Sequence, residues 1–314
     1  MAGMTRGDRG DLTAIAVLFA TNVIYAMSYA TARVAMEGMP PAFLAFARLF
    51  IAGLILLPLW RARPAAAAFS RREHATAAAM GVVGFGLAFW LGNLGISLST
   101  TTNAAILVVV EPVSLMLLGP ALLGESLSGR EALGAAMAVA GSLLVVLNGL
   151  PGSGASVFPH WRGDVLLVLT GIAFASYSLW GRPLLARHDA GRVTVLSLFW
   201  GAAALVPLVV REWVEGLRPS WSWPVAAATL YLAVAVTALG FFLWNWALKR
   251  VEASRAAITL NIQPVLGPLV GVLWLKERIT TFTAFGAFLI VSGLFVAFTP
   301  SSNGAGEKNG AYGI

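Results

Sequence analysis

Apolar runs of about 20 residues, the length that carries a helix across the hydrocarbon core of a bilayer, recur from one end of the chain to the other. Short stretches holding most of the charges separate them. Measured this way, the pattern predicts ten membrane-spanning helices near 12–35, 40–60, 73–98, 102–122, 129–149, 163–186, 193–211, 222–248, 253–275 and 280–299. Pro40-Pro41, Arg63-Pro64 and Gly149-Leu150-Pro151-Gly152 punctuate the joints. Ser70-Arg71-Arg72-Glu73 and Ser128-Gly129-Arg130-Glu131 read as capping boxes opening the third and fifth helices. Residues 1–11 form a short cytoplasmic N-terminus, and 300–314 is a polar, glycine-rich tail expected to be disordered. The predicted fold class is an all-α integral membrane protein.

Composition supports this reading. Only 11% of the 314 residues are charged and 58% are apolar, whereas a water-facing globular surface needs roughly 25% charge. The 15 prolines and 33 glycines would weaken soluble helices but are better tolerated in membrane helices. With no cysteine in the chain, disulfides, thiol nucleophiles and Cys-based metal sites are excluded. The first apolar run is longer than the roughly 7–15 residues of a signal-peptide core, and it is reproduced in the second half, so it is read as retained.

The net charge of +7 could suggest nucleic acid, but the basic residues fall between apolar runs, where they report topology. With a cytoplasmic N-terminus, the outer segments hold Arg33, Arg162, Arg211, Arg218, Lys276 and Arg278, Arg48 lies inside a helix, and the other fourteen of the 21 Lys and Arg residues are inside. Fourteen against six predicts an N-in, C-in protein.

The chain also repeats itself. With a shift of 152 residues, Ala104-Ala105-Ile106 falls on Ala256-Ala257-Ile258, Pro112-Val113 on Pro264-Val265, and Glu125 on Glu277. The same ungapped register matches Gly134 with Gly286, Gly141 with Gly293, Phe89 with Phe241 and Asn93 with Asn245. This divides the chain into two five-helix repeats, 12–150 and 151–299. Five is odd, so the second repeat must be inverted relative to the first. Inverted repeats are a recurring plan of secondary transporters, with the substrate site at the midplane between halves.

Glu111-Pro112-Val113, followed by Leu123-Gly124-Glu125-Ser126-Leu127 and a glycine-spaced helix, resembles the EamA-type drug/metabolite transporter superfamily. Gln263-Pro264-Val265 with Leu275-Lys276-Glu277-Arg278-Ile279 is similar to its second domain, and Ala47-Arg48-Leu49-Phe50-Ile51-Ala52 to its second helix. The resemblance spans roughly 12–299. It implies ten helices and export of small metabolites, commonly amino acids, with the aromatic-amino-acid exporter branch the leading choice. The chain departs from an exact duplication at Lys276, where the first copy has Gly124, and at Gln263, where it has Glu111.

The candidate substrate-binding residues are Asn22, Tyr25, Arg48, Trp90, Asn93, Glu111, Tyr177, Trp180, Trp200, Asn245 and Gln263. Arg48 and Glu111 are the ionisable residues nearest the centres of their helices, where each costs roughly 2.5–3.5 kcal/mol on insertion scales. Arg48 could hold a carboxylate and Glu111 an ammonium or a coupling proton, or the two could pair structurally. The amides could bind a zwitterion or serve as interhelical glue. The deep aromatic rings, Trp244 and Trp246 included, would suit a partly apolar solute and could hold an ammonium by cation–π attraction. Pro112 and Pro264 each remove a helical hydrogen bond, which makes them hinge or kink candidates bounding a cavity. Gly267-Pro268-Leu269-Val270-Gly271, Gly134/Gly141 and Gly286/Gly293 are read as close packing within the chain.

Gly119-Pro120-Ala121-Leu122-Leu123-Gly124-Glu125-Ser126 nearly mimics a P-loop, but Glu125 stands where the phosphate-binding lysine belongs. No HExxH occurs. The expected protein is therefore not an enzyme and needs no cofactor or metal. It is a secondary active exporter of small organic metabolites, amino acids first, working by alternating access in the bacterial inner membrane. Its partners are the solute and the lipid bilayer, with no nucleic acid, and the oligomeric state is left open with a monomer allowed. The alternatives are a nucleotide-sugar or drug carrier on the same scaffold, or a membrane-embedded lipid-modifying enzyme, against which the scattered acidic residues count.

Overall fold

The computed structural model describes residues 6–62, 68–123, 127–148, 160–248, 259–260 and 262–298. Among them the secondary structure is helical throughout, without strands. In chain order the elements are α1 (Arg6–Ala35), α2 (Pro41–Ala62), α3 (Arg71–Ala79), a π-helical segment (Met80–Leu87), α4 (Ala88–Leu98), α5 (Thr101–Leu107), α6 (Val110–Leu123) and α7 (Gly129–Asn148). They continue as α8 (Trp161–Arg187), α9 (Ala190–Val214), α10 (Trp223–Tyr231), a second π-helical segment (Leu232–Gly240), α11 (Phe241–Leu248), α12 (Gln263–Leu275) and α13 (Thr281–Phe298).

Joined end to end, these make eight helical runs long and apolar enough to cross a membrane, among them the composite runs Arg71–Leu98, Thr101–Gly119 and Trp223–Ala247. The eight coincide with the first eight predicted segments. The shorter α12 and α13 fall where the ninth and tenth are expected, and the predicted start of the ninth, 253–258, lies outside the described residues, as do the tail at 300–314 and Glu125. Outward-facing side chains such as Leu54, Leu143, Val210, Phe285 and Phe288 are large and apolar, an exterior suited to hydrocarbon rather than water.

Helix ends show why the chain turns where it does. Ser70 and Glu73 form the predicted capping box, and Ser128 and Glu131 exchange the same reciprocal bonds, at 3.3 and 2.7 Å. Two further caps join remote parts of the chain. Glu212, near the end of α9, accepts the Ala42 and Phe43 N–H groups of α2 at 2.8 and 2.9 Å. Glu277 accepts the Thr101 and Thr102 N–H groups of α5, both at 2.8 Å. A carboxylate at a helix N-terminus satisfies orphan donors and opposes the positive end of the dipole. Each cap therefore fixes one helix to another.

Glycines set the closest helix approaches. In α7 and α13, Gly134 packs on Gly293 and Gly141 on Gly286: a Cβ on Gly141 would lie 2.6 Å from the Gly286 carbonyl oxygen, and one on Gly293 would lie 2.6 Å from that of Gly134. The glycine stripes predicted for intrachain packing do meet, in antiparallel register. The Gly267–Gly271 stripe likewise packs on α5, against Ala105 and Thr102.

Two interruptions sit at matched places. At Val108-Val109 the chain leaves the α-helix between α5 and α6, and the Glu111 N–H reaches only three residues back, to Val108 O at 3.0 Å. Pro112, which has no N–H, follows at once, as a proline-broken helix requires. Before Pro264 the Ile262 N–H likewise bonds three residues back, to Thr259 O at 3.2 Å, and α12 begins at Gln263. The π-helical segments begin 152 residues apart, at Met80 and Leu232. Wide turns of this kind are rare and often accompany functional sites.

Candidate functional site

The interruptions, α1, α2, α4, α8 and α11 surround one internal cavity of about 1020 Å³, its open mouth included. Six of the eleven predicted binding residues line it: Tyr25, Arg48, Asn93, Glu111, Tyr177 and Gln263. Tyr29, Phe89, Phe174, Phe241 and Trp244 add rings to its wall, with Ser28, Thr170 and Ser178 between them. Most of the lining is apolar, and the charges come from two side chains, Arg48 and Glu111.

Arg48 is buried, 4% exposed. Its Nε donates to Thr237 Oγ1 at 3.0 Å, and its guanidinium carbon lies 3.9 Å from the centroid of the Phe89 ring. Thr237 belongs to the second π-helical segment and Phe89 follows the first. A guanidinium pinned at Nε and stacked on one face keeps its terminal N–H groups for another acceptor. Among the described residues none takes them, and no ion pair joins Arg48 to Glu111. One face of the Phe89 ring is thus occupied by the protein's own cation.

Glu111 stands at the broken α5–α6 junction. It faces the main cavity and also a small void lined by Val109, Pro112, Leu260, Pro264 and Leu294. Both helix-breaking prolines thus meet behind this carboxyl group, and no described side chain bonds it.

The amides behave differently from the ions. Gln263 Oε1 accepts from Tyr29 Oη at 2.8 Å, and Gln263 Nε2 donates to Asn22 Oδ1 at 2.7 Å. Asn22 Nδ2 donates to Leu18 O and Thr259 Oγ1, both at 2.9 Å. The chain Tyr29–Gln263–Asn22–Thr259 ties α1 to both sides of the break before α12. Asn93 donates to Pro41 O at 3.0 Å, holding α4 to the start of α2. Asn245 donates to Thr194 Oγ1 at 2.8 Å and more weakly to Tyr177 Oη at 3.4 Å. Asn22 and Asn245 lie behind the cavity wall rather than on it.

Trp90, Trp180 and Trp200 are also absent from the wall. Trp90 packs against the core formed by α2, α8 and α9, while Trp180 and Trp200 are 36% and 43% exposed on the outer surface. Depth along a span does not determine which way a ring faces. On α8 the inward face carries Gly171, Phe174, Tyr177 and Ser178, the three- and four-residue spacing of one helical stripe. Tyr29, missed from sequence, is signalled the same way, four residues beyond Tyr25. Phe89 and Phe241 are matched in the repeat and meet edge to face at 6.1 Å and 89°.

Comparison with known proteins agrees with this architecture. A sequence profile described as the EamA-like transporter family matches residues 12–147 and again 161–299. A protein of Streptantibioticus cattleyicolor named "Probable terminal-alkyne amino-acid exporter" is 27% identical, over 90% of this chain and 92% of its own. An Escherichia coli protein named "Probable amino-acid metabolite efflux pump" is 22% identical, over 87% and 91%. A transporter of Archaeoglobus fulgidus is 25% identical, over 89% and 95%. One solved crystal structure superposes with a TM-score of 0.62 at 18% identity, covering 91% of this chain and 96% of that one, which is a likeness of fold.

Proposed function

The chain belongs to the EamA-like transporter family, a multi-pass membrane transporter and not an enzyme, and from that premise we propose that it is a secondary active exporter of amino acids or closely related metabolites. The observation that carries this reading is the cavity itself. Among the described residues it offers a buried guanidinium with unused donors, a carboxyl group without a partner, and an aromatic wall between helices. A solute with a carboxylate, an ammonium and an apolar body answers all three. Arg48 would take the carboxylate and Glu111 the ammonium or an exchanged proton, with Tyr25, Tyr177 and the phenylalanines packing the side chain.

On this reading ten helices span the bacterial inner membrane as two inverted repeats, 12–150 and 151–299, with both termini cytoplasmic. The family profile matching twice supports the duplication. The antiparallel glycine contact supports inversion, since residues matched by the repeat exchange partners across it: Gly134 with Gly293, and Gly141 with Gly286. That is the self-complementary pattern of a two-fold axis. The names of the relatives from Streptantibioticus and Escherichia support amino-acid solutes.

The test is transport by the purified chain in liposomes, with labelled amino acids, nucleotide sugars and cationic drugs offered singly, with and without a proton gradient. Saturable, gradient-sensitive flux of an amino acid is expected. Flux of sugars or drugs alone would overturn the substrate assignment, and no flux of any solute would overturn the transport reading.

A further inference from the structure

Just beyond one end of the cavity lies a polar cluster that the solute site does not use. Its centre is Asp164, on the first turn of α8 and completely buried. Ser99 Oγ donates to Asp164 Oδ1 at 2.5 Å, Asn103 Nδ2 donates to both carboxylate oxygens at 3.1 and 3.2 Å, and His160 Nδ1 lies 2.7 Å from Oδ2. Ser99, Asn103 and His160 are themselves nine-tenths or more buried. Arg33, at the end of α1, donates to the carbonyl oxygens of Ile96 and Ser99 at 2.6 and 3.3 Å. Glu277 holds the next residues, Thr101 and Thr102.

These bonds converge on the short Ser99–Thr100 turn between α4 and α5. Charged side chains from three other places in the chain grip it: α1, α8 and the α12–α13 connection. The cluster is also contiguous with the cavity. Ile96, Ala104 and Leu167 are wall residues. Ser99 follows the first by three positions, Asn103 adjoins the second, and Asp164 precedes the third by three. The polar groups therefore sit about one helical turn, roughly 5 Å, beyond the wall at this end. A fully buried carboxylate is tolerated only where its acceptor capacity is filled, and here Ser99 of the turn and Asn103 of α5 supply donors, with His160 beside Asp164 at the start of its own helix. Moving the turn and the start of α5 away would remove the Ser99 and Asn103 bonds and leave the carboxylate only His160, so separation requires that water reach it.

We propose that Asp164, Ser99, Asn103 and His160 form the gate of the cavity at the Ser99–Thr100 end, and that a solute passes this end only when the cluster comes apart. The inference rests on the transport reading for its purpose, while its test needs no solute. The chain has no cysteine, so a single introduced thiol reports without background. Leu167→Cys lies on the wall just inside the cluster, and Ser178→Cys lies about three turns farther along α8. A thiol at Thr100 identifies the membrane face of the gate. Membrane-impermeant maleimide is then applied to the full chain in vesicles from each face in turn.

With the cluster intact, Leu167→Cys should label slowly from the gate face. Adding Asp164→Asn, or in a separate chain Ser99→Ala, should raise that rate about tenfold or more, since losing one bond to a buried charge shifts a two-state balance by that order. The rate at Ser178→Cys from the opposite face should not rise. Fast labelling of Leu167→Cys with the cluster intact, or a rate unmoved by both substitutions, would overturn the proposal. A rise at both reporters together would show a structural brace instead of a gate, and overturns it equally. Absence of flux in wild-type liposomes would count against the transport reading and leave the labelling result standing.

Discussion

Arg48 and Thr237 are 189 residues apart in sequence and 3.0 Å apart in space, joined by an Nε–H to Oγ1 hydrogen bond that positions the cation of the cavity. Thr237 Oγ1 in turn donates to Leu232 O at 2.8 Å, within the π-helical segment. The wide turn thus presents a hydroxyl oxygen that the guanidinium can use. The cation's position is set by backbone geometry on one side and by the Phe89 ring on the other.

Replacement of Arg48 by lysine keeps the charge but loses the planar stack and the Nε anchor. In the liposome assay Arg48→Lys should raise the KM for a carboxylate-bearing solute about tenfold or more, and Arg48→Ala should abolish saturable uptake. Thr237→Val should have a smaller effect of the same sign. Equal KM values for wild type and Arg48→Lys would exclude guanidinium recognition.

Gly240, in the same π-helical segment, bears on Tyr25 of the cavity wall. A Cβ there would lie 2.6 Å from Tyr25 Cε1, and Tyr25 also packs on Phe241 at 5.8 Å. Gly240→Ala should drive the Tyr25 ring into the cavity. Bulky solutes should lose transport before small ones, a size-dependent change in KM readable across an amino-acid panel.

In the α7–α13 contact, Gly141→Val places branched carbon against the Gly286 backbone. Overpacking of this kind costs about 1–3 kcal/mol, so the variant should melt several degrees lower in detergent. A wild-type melting temperature would mean that the two helices part more readily than their packing implies.

Lys276 adopts φ 57° at the end of α12, a left-handed conformation that costs a side-chain-bearing residue roughly 1–2 kcal/mol. Glycine is the preferred residue at such a terminus, and Gly124 occupies the matched position in the first half. Lys276→Gly should raise thermal stability slightly, and Lys276→Val should lower it. Both are read from melting curves.

Eight of the ten expected spans, the caps at Ser70 and Ser128 and the glycine contacts could be read from the sequence, because each depends on local spacing or on an internal copy. The cavity was legible in part. Arg48 and Glu111 stand out, since a charge inside an apolar run requires a reason. Asn22 and Gln263 do not reveal in sequence that they bond each other across 241 positions. Trp180 and Trp200 are rings at the right depth on the wrong face, which only the rotation of a packed helix decides. Asp164 was hidden for a further reason: at the edge of a run it looks like an interfacial charge, and only the fold brings Ser99, Asn103 and His160 around it.

The glycine contact between α7 and α13 limits how these two helices can move. Backbone lies on backbone at both Gly134–Gly293 and Gly141–Gly286. Sliding one helix a turn along the other would drive Leu289 towards Gly134, and there is no room for it. Translation in that direction is sterically barred, and Ile290, Val145 and Met137 pack over the glycines from the facing helix. The seam thus behaves as a clasp: it fixes both the separation and the register of the two helices it joins.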